Sequence, residues 1–287
     1  MGRFGLPPSI VNTRQTASGS ARGGDWIDRP NRVHAHEEAW RPPAFAPPGG
    51  QAAGTVAALR RFLDLQGGSI WHDLQRILPH LGGTIVDVGC GAQPYRTLLP
   101  TGADYIGLDT LEAKSRFGYE MPGTRYIDGD IWPLENDSAD VVLCTETLEH
   151  VPDVALFLGE AARCLAPGGT LVLTVPFAAR WHFVPHDYWR FTPSGLDRVL
   201  REAGFLNTRV YARGNALTVA CYKSMALILH LAMPQARAVL VRLTLQGLSL
   251  PLLPVLLLLA ILANLSLRGG GGEDCLGYTA LAEKRSR

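Results

Sequence analysis

Glycines and acids follow the ends of short apolar segments in the middle of this 287-residue sequence. The segment at 84–88 contains Asp87 and runs directly into Gly89 and Gly91. Glycine allows a tight turn and lets a ligand approach the backbone closely. Asp109 ends the next apolar segment, where a carboxylate can accept hydrogen bonds from both ribose hydroxyls of an adenosine ligand. Each feature alone is also typical of an ordinary turn or surface loop, so the prediction of such a ligand depends on their combination.

Two further sites continue this order along the chain. Asp130 could face the exocyclic amine of adenine, with Ile131 or Trp132 against the ring. Thr145 and Glu146 stand at the end of another apolar segment. Ligands of open α/β sheets bind outside the carboxyl ends of the strands, so we expect all of these residues at one edge.

The elements that must position these residues follow from the apolar pattern. Short, continuously apolar runs alternate with helical spacing, which indicates a parallel sheet covered by helices on both faces. Right-handed crossovers then predict a doubly wound α/β fold, and a helix should follow the glycine turn. The predicted strands are 84–88, 105–109, 139–145, 169–177, 207–213 and 277–284. The first predicted helix of the core begins near Thr55, and the other predicted helices cover 69–80, 154–165 and 193–203.

The sequence resembles the class I S-adenosylmethionine-dependent methyltransferases, especially the ubiquinone/menaquinone-methyltransferase-like (type 11) group. The resemblance covers about residues 82–178, and more weakly to about 213, in the stretches IVDVGCGAQPY, YIGLD, GDIWPLENDSADVVLCTETLEHV and LGEAARCLAPGGTLVLTVPF. It implies a mostly parallel seven-stranded sheet with an antiparallel last strand, and S-adenosylmethionine as cofactor. It also implies the cofactor-binding residues: Asp87, Gly89 and Gly91 at the methionine end, Asp109 at the ribose, Asp130 and Ile131 at adenine, and Thr145 or Glu146 beside the cofactor.

Gln93 and Pro94 depart from the pattern of that family. Many relatives carry a third glycine where this chain has Gln93, so we expect a stiffer loop at the amino-acid end of the cofactor. Pro94 also disfavours a nicotinamide-dependent dehydrogenase, because the Gly-x-Gly-x-x-Gly pattern would require glycine there.

Residues 180–191 concentrate aromatic side chains, two histidines, an acid and two arginines. In a doubly wound sheet this loop overlooks the ligand crevice, so we predict a wall of the substrate pocket with His186 or Asp187 as a catalytic base. His150 is a third candidate base. A packed aromatic loop held by an Arg–Asp pair is the alternative. A metal site at His182, His186 and Asp187 is a further alternative, but no additional ligand is obvious and zinc usually needs three or four, so no metal is predicted.

A long apolar segment precedes the last predicted strand. No charged residue lies between Leu243 and Leu267, and about 20 apolar residues suffice to cross a bilayer. Pro251 and Pro254 interrupt this stretch. Three arrangements stay open: monotopic or re-entrant membrane contact, a dimer interface or substrate-binding lid, and two crossings by residues 216–233 and 243–267.

Four segments follow from these patterns. We predict a flexible or loosely packed N-terminal segment at 1–53, a catalytic core with N-terminal helices at 54–213, an apolar helical insert at 214–270, and the final strand and tail of the core at 271–287. The net charge of +1 gives no reason to expect nucleic acid as a partner. The five cysteines are odd in number and none forms a CxxC pair, so we expect a reducing cytoplasm, with the protein free or peripheral on the inner face of the membrane.

The predicted reaction is methyl transfer to oxygen on a small-molecule, glycan or lipid-linked acceptor. A hydroxyl acceptor would need a base, whereas a carboxylate or acidic phenol would not. Two alternatives stay open: a C-methyltransferase acting on a quinone-like or polyketide-like ring, and a non-catalytic cofactor-binding or membrane-scaffold protein.

Overall fold

The computed structural model describes residues 53–117, 120–183, 185–235 and 238–286. The predicted N-terminal segment lies outside these residues except for its last position. Seven strands are described, and in chain order they are β1 Thr84–Val88, β2 Asp104–Thr110, β3 Thr124–Ile127, β4 Ala139–Thr145, β5 Leu165–Pro176, β6 Phe205–Arg213 and β7 Gly277–Lys284. The described α-helices are α1 Ala53–Leu63, α2 Leu65–Ile77, α3 Leu111–Phe117, α4 Val154–Cys164, α5 Pro193–Glu202, α6 Ala216–Ala232, α7 Val239–Ser249 and α8 Leu253–Ser266.

The strands form one sheet in the order β3-β2-β1-β4-β5-β7-β6. Strands β1 to β5 pair in parallel, and β7 lies antiparallel between β5 and β6. The doubly wound, mostly parallel fold and the antiparallel last strand are therefore confirmed. Because the order reverses between β1 and β4, the carboxyl end of β1 lies at the switch point where such sheets bind ligands.

Both faces of the sheet are covered by apolar packing. On β1, Val86 packs in the cluster that contains Leu158 of α4, whereas Ile85 packs in the cluster that contains Leu74 of α2. Successive side chains of a strand point to opposite faces, so a continuously apolar strand needs helices on both sides. These helices hold the strand ends in place, and the candidate site lies at those ends.

Local signals predict some helix ends well. The Thr192 hydroxyl accepts a hydrogen bond from the Gly195 N–H at 3.1 Å and caps α5 as expected. Helix α2 begins earlier than predicted, at Leu65, because the Asp64 carboxylate accepts from the Gly67 N–H at 3.1 Å. The short strand β3 was not located from the sequence.

The prediction of a helix directly after the glycine turn was wrong. Residues 89–95 form turns, followed by a single 3₁₀ turn at Arg96–Leu98. Gln93 adopts a left-handed backbone conformation with φ 55°. Pro94 has no N–H to donate, so helical hydrogen bonding does not begin at this point.

The insert is helical, as predicted, but its second helix is divided. Helix α7 begins at Val239, and a 3₁₀ turn at Leu250–Leu252 separates it from α8. Pro251 and Pro254 lie at this break, where a missing N–H costs little because it falls at a helix end. In the described part of the chain, residues Val239–Ser266 form a stretch long and apolar enough to cross a membrane, and 22% of an apolar 18-residue window within it is buried. The predicted partner crossing at 216–233 forms a shorter helix, α6.

Candidate active site

The glycine turn and Asp109, near the end of the second strand, meet at the carboxyl edge of the sheet. Gly89 and Gly91 have φ values of 70° and 50°. The backbone N–H groups of Gly89 and Cys90 donate to the Leu108 carbonyl at 2.9 and 3.1 Å. The Gly91 N–H donates to Asp109 Oδ2 at 2.9 Å. The structure therefore brings together residues that are 18 positions apart in the sequence.

Gly89→Ala is expected to lower the melting temperature more than Gly102→Ala. Both glycines have positive φ, so an alanine at either position carries a similar strain of about 1–2 kcal/mol. A Cβ at Gly89 would also overlap the side chain of Thr147, whereas a Cβ at Gly102 meets nothing within 4 Å. Thermal unfolding of the two variants measures the difference, and equal losses would contradict the predicted close approach.

Asp87 is buried directly beneath this turn, with 1% of its surface exposed. The Tyr105 hydroxyl donates to Asp87 Oδ2 at 2.8 Å, and Asp87 Oδ1 has no hydrogen-bond partner among the described residues. Burial raises the pKa of Asp87 to about 7, the Tyr105 hydrogen bond opposes this rise, and the charge of Asp109 adds to it. Asp87 is thus a buried acid with one oxygen left for another donor.

Asp87→Asn is expected to flatten the pH dependence of the free energy of unfolding. The unfolded chain releases this proton near 3.8, while the folded protein holds it until about 7. The folded state therefore binds more protons within that window, and its stability falls as the pH rises through it. Urea unfolding at several pH values across the window measures the slope. Asp104→Asn, an exposed position on β2, should leave the slope unchanged; the same slope in Asp87→Asn and the wild type would disprove the assignment.

Glu146 is the first residue after β4 and is held by an arginine that the sequence analysis did not select. Glu146 has φ 47°, and its N–H donates to the Thr174 carbonyl at 3.0 Å. The Arg213 guanidinium donates to Glu146 Oε1 at 2.8 Å and to the Val175 carbonyl at 3.0 Å. The Arg213 side chain is fully buried at the end of β6. Thr145 lies beside this pair, on β4 opposite Thr174.

A charged residue at the end of a strand-like segment was the available signal for Arg213. Its partner could not be inferred, because it lies 67 positions away in the sequence.

The predicted adenine-binding residues follow β3, at the same edge of the sheet. Asp130 is exposed, and 65% of the Ile131 surface is exposed. Trp132, the alternative to Ile131 at the ring, is 3% exposed and packs edge-on against Phe157 with ring centroids 5.3 Å apart. Its N–H donates to Glu160 at 2.8 Å. Trp132 therefore belongs to the core.

Asp187 is held in an ion pair within the aromatic loop. Its carboxylate accepts from both guanidinium nitrogens of Arg190 at 2.6 and 2.7 Å, and from the His182 N–H at 2.9 Å. Burial raises the pKa of Asp187, but the hydrogen bonds from His182 and Arg190 outweigh burial and hold this pKa below its usual value. Both carboxylate oxygens are occupied, which fits the Arg–Asp pair better than a catalytic base.

The two candidate histidines are in contact through a backbone atom. His150 Nδ1 lies 2.6 Å from the His186 carbonyl oxygen. Burial lowers the pKa of His150 to about 4, although the hydrogen bond to His186 opposes the shift. His186 Nε2 lies 3.1 Å from a Glu112 carboxylate oxygen, and its Nδ1 lies 3.1 Å from the Tyr188 hydroxyl. His186 is therefore the candidate whose ring is paired with an acid at the start of α3.

A family model described as a methyltransferase domain matches residues 59–210. The chain belongs to this methyltransferase family. The matched range contains strands β1 to β5 and every candidate site residue named from the sequence. A methyltransferase domain agrees with the S-adenosylmethionine-dependent family that the sequence resembles.

Named relatives agree with this family. The chain is 32% identical to a ubiquinone biosynthesis O-methyltransferase of Psychrobacter arcticus over 152 residues, which are 43% of this chain and 59% of that protein. It is 36% identical to phthiotriol/phenolphthiotriol dimycocerosates methyltransferase 1 of Mycobacterium ulcerans over 103 residues, 32% of this chain and 37% of that protein. The methyltransferase thus spans less than two thirds of the length of these relatives.

Among solved structures, a SAM dependent methyltransferase from Archaeoglobus fulgidus is similar to the methyltransferase with a TM-score of 0.48 and 16% identity. The match covers 80% of this chain and 100% of that one.

Proposed function

We propose that the methyltransferase transfers the methyl group of S-adenosylmethionine to an oxygen atom of an apolar or lipid-linked small-molecule acceptor. The observation that carries this proposal is the hydrogen bond between Gly91 and Asp109, which joins the glycine turn to an acid at the switch point of the sheet. Oxygen is favoured as the acceptor atom because several relatives are named ubiquinone biosynthesis O-methyltransferases. An apolar acceptor is favoured because the Mycobacterium ulcerans relative is named for a dimycocerosate substrate.

The residues at this edge suit the parts of S-adenosylmethionine. The half-buried Asp109 carboxylate is assigned to the ribose hydroxyls, and the unpartnered Asp87 Oδ1 to donors at the methionine end. Gly89 and Gly91 leave room for that end, and Asp130 with Ile131 is assigned to adenine. Thr145 and Glu146 would line the crevice beside the cofactor.

The chain's own contribution to the reaction would be alignment and proton removal. The sulfonium of the cofactor already activates its methyl carbon, so positioning of the acceptor accounts for most of the remaining rate enhancement. His186 is assigned as the base: its Nδ1, which faces the Tyr188 hydroxyl at 3.1 Å, would accept the proton by way of that hydroxyl, and Glu112 at 3.1 Å from Nε2 would stabilise the resulting imidazolium. The exposed rings of Trp181, Tyr188 and Trp189 would contact an apolar acceptor.

The test is turnover with methyl-labelled S-adenosylmethionine and a panel of prenylated phenols and hydroxylated lipids. Mass spectrometry and NMR of the products locate the label, and we expect it on oxygen. Label on a ring carbon would favour the C-methyltransferase alternative. Cofactor binding without S-adenosylhomocysteine formation across the panel would favour a non-catalytic protein.

We further infer that the apolar insert, residues 214–270, contacts an anionic membrane surface. None of the 26 Asp and Glu residues lies in the insert, which carries four Lys and Arg residues. Leucines on α7 and α8 are strongly exposed, for example Leu240 at 78% and Leu258 at 55%. An apolar segment whose Asp, Glu, Lys and Arg residues are all cationic suits the boundary of a bilayer that contains anionic lipids.

Vesicle flotation tests the inferred contact. The full chain should float with vesicles containing anionic phosphatidylglycerol, and less with neutral phosphatidylcholine vesicles. Leu258→Glu should reduce flotation, whereas Leu59→Glu, at an equally exposed position on α1, should not. Concentration-dependent dimerisation without flotation would instead favour the dimer interface, and equal effects of the two substitutions would contradict the contact.

A further inference from the structure

Glu149 is a buried acid that the proposed methyl transfer does not use. Its side chain has no exposed surface, and neither carboxylate oxygen has a hydrogen-bond partner among the described residues. Burial, and then the charge of Glu146, raise its pKa well above the usual value. A buried carboxylate without donors costs several kcal/mol unless a cation or proton compensates it. Among the described residues, no counter-charge therefore contacts the Glu149 carboxylate.

Two imidazole rings surround this carboxylate. His150 Nε2 lies 3.6 Å from Glu149 Oε1, and the rings of His150 and His182 pack edge-on with centroids 5.0 Å apart. One ligand atom from each of Glu149, His150 and His182 lies within 4.8 Å of the other two. Small side-chain rotations would bring three such atoms to the spacing of one metal ion's ligands.

Both rings have one nitrogen occupied by an acceptor. His150 Nδ1 faces the His186 carbonyl at 2.6 Å, and His182 Nδ1 faces the Arg180 carbonyl at 3.0 Å and Asp187 Oδ2 at 3.2 Å. A carbonyl oxygen only accepts, so Nδ1 is the donor in both rings and Nε2 is the nitrogen left to face a metal ion. Metal-binding histidines show this arrangement, in which the second nitrogen donates to a carbonyl or carboxylate.

We propose that Glu149, His150 and His182 bind a divalent transition-metal ion, and that the donor set selects Zn²⁺. Two imidazole nitrogens and one carboxylate oxygen form a ligand set of catalytic zinc sites. Magnesium prefers an octahedral shell of oxygen atoms and is disfavoured here. The ion would supply the counter-charge that Glu149 lacks.

This site differs from the group considered in the sequence analysis, which expected no metal. His182 is shared, but Asp187 is paired with Arg190, and His186 is paired with Glu112. Asp187 instead becomes an outer partner that orients His182. Three protein ligands would leave a coordination position for water or for the acceptor oxygen; this last role depends on the proposed function, whereas metal binding does not.

The experiment measures metal binding by the full chain after treatment with a chelator. Calorimetry with Zn²⁺ should give one site, and Zn²⁺ should raise the melting temperature because it binds the folded state. Glu149→Gln and His182→Ala should each weaken zinc affinity by more than about 100-fold, since even outer partners are worth about 10- to 100-fold. His186→Ala is the matched control: it removes a neighbouring imidazole outside the ligand set and should leave the zinc affinity unchanged.

Substitution of Co²⁺ for Zn²⁺ gives a second readout that does not depend on variant folding. The wild-type chain should show the visible absorption of a four-coordinate cobalt site, and equimolar Zn²⁺ should abolish it. The proposal is overturned if the wild type binds neither ion at a single site, or if Glu149→Gln binds Zn²⁺ as well as the wild type. A loss of affinity in His186→Ala as large as in His182→Ala would also overturn it.

Discussion

Asp109→Ala should weaken the affinity for S-adenosylmethionine by about 100-fold. A carboxylate that accepts from two ribose hydroxyls makes two charge-assisted hydrogen bonds, together worth about 3 kcal/mol or more. Asp109 already accepts the N–H groups of Gly91 and Thr110, at 2.9 and 2.8 Å, so its carboxylate is fixed at the strand end. Isothermal calorimetry with the cofactor measures the change.

Asp104→Ala is the matched control for Asp109→Ala. Asp104 is exposed at the opposite end of the same strand, so its loss should leave cofactor affinity unchanged. If Asp109→Ala binds the cofactor as tightly as the wild type, the ribose assignment is refuted. If this variant also keeps full turnover, the cofactor lies elsewhere in the crevice.

Glu146→Ala should lower the free energy of unfolding by about 3–5 kcal/mol. Removing one partner of a buried ion pair leaves the other charge uncompensated. The Arg213 side chain is fully buried and would lose its carboxylate partner at 2.8 Å, while keeping the Val175 carbonyl and the Ser69 hydroxyl. Urea unfolding measures the loss.

A double variant separates this buried charge from a local packing effect. Glu146→Ala with Arg213→Met should recover most of the lost stability, because an apolar side chain replaces the uncompensated cation. Glu283→Ala is the surface control: its ion pair with Arg209 at 3.9 Å is exposed and should be worth at most about 1 kcal/mol. Equal losses in Glu146→Ala and Glu283→Ala would contradict a buried pair.

The sheet and its caps could be predicted because their signals are local. Strand β4 was placed at its observed ends, since a continuous apolar run with β-branched residues is compatible with a strand buried on both faces. Thr192 caps α5 through a hydrogen bond three residues away, and Gly89 permits the turn through its own φ. Each of these preferences depends on residues adjacent in the chain.

The resemblance supplied the order of the candidate site residues, and the sheet order then brought several of them together. Asp109 meets Gly91 because β2 lies beside β1 in parallel register. Contacts between residues at the ends of neighbouring parallel strands can be predicted once the fold class is known. The roles of Asp130 and Ile131 stay predictions, because their side chains are exposed in a loop whose conformation depends on few neighbours.

What the sequence by itself determined was the fold class, the methyltransferase family and the sheet edge at which the candidate cofactor-binding residues lie. Tertiary structure alone decided which charges are paired: Glu146 with Arg213 and Asp187 with Arg190, whereas Glu149 has no hydrogen-bond donor among the described residues. The physical reason is that apolar periodicity acts over one or two turns of chain. The stability of a buried charge instead depends on atoms within a few ångströms, and distant segments supply those atoms only after the sheet has formed.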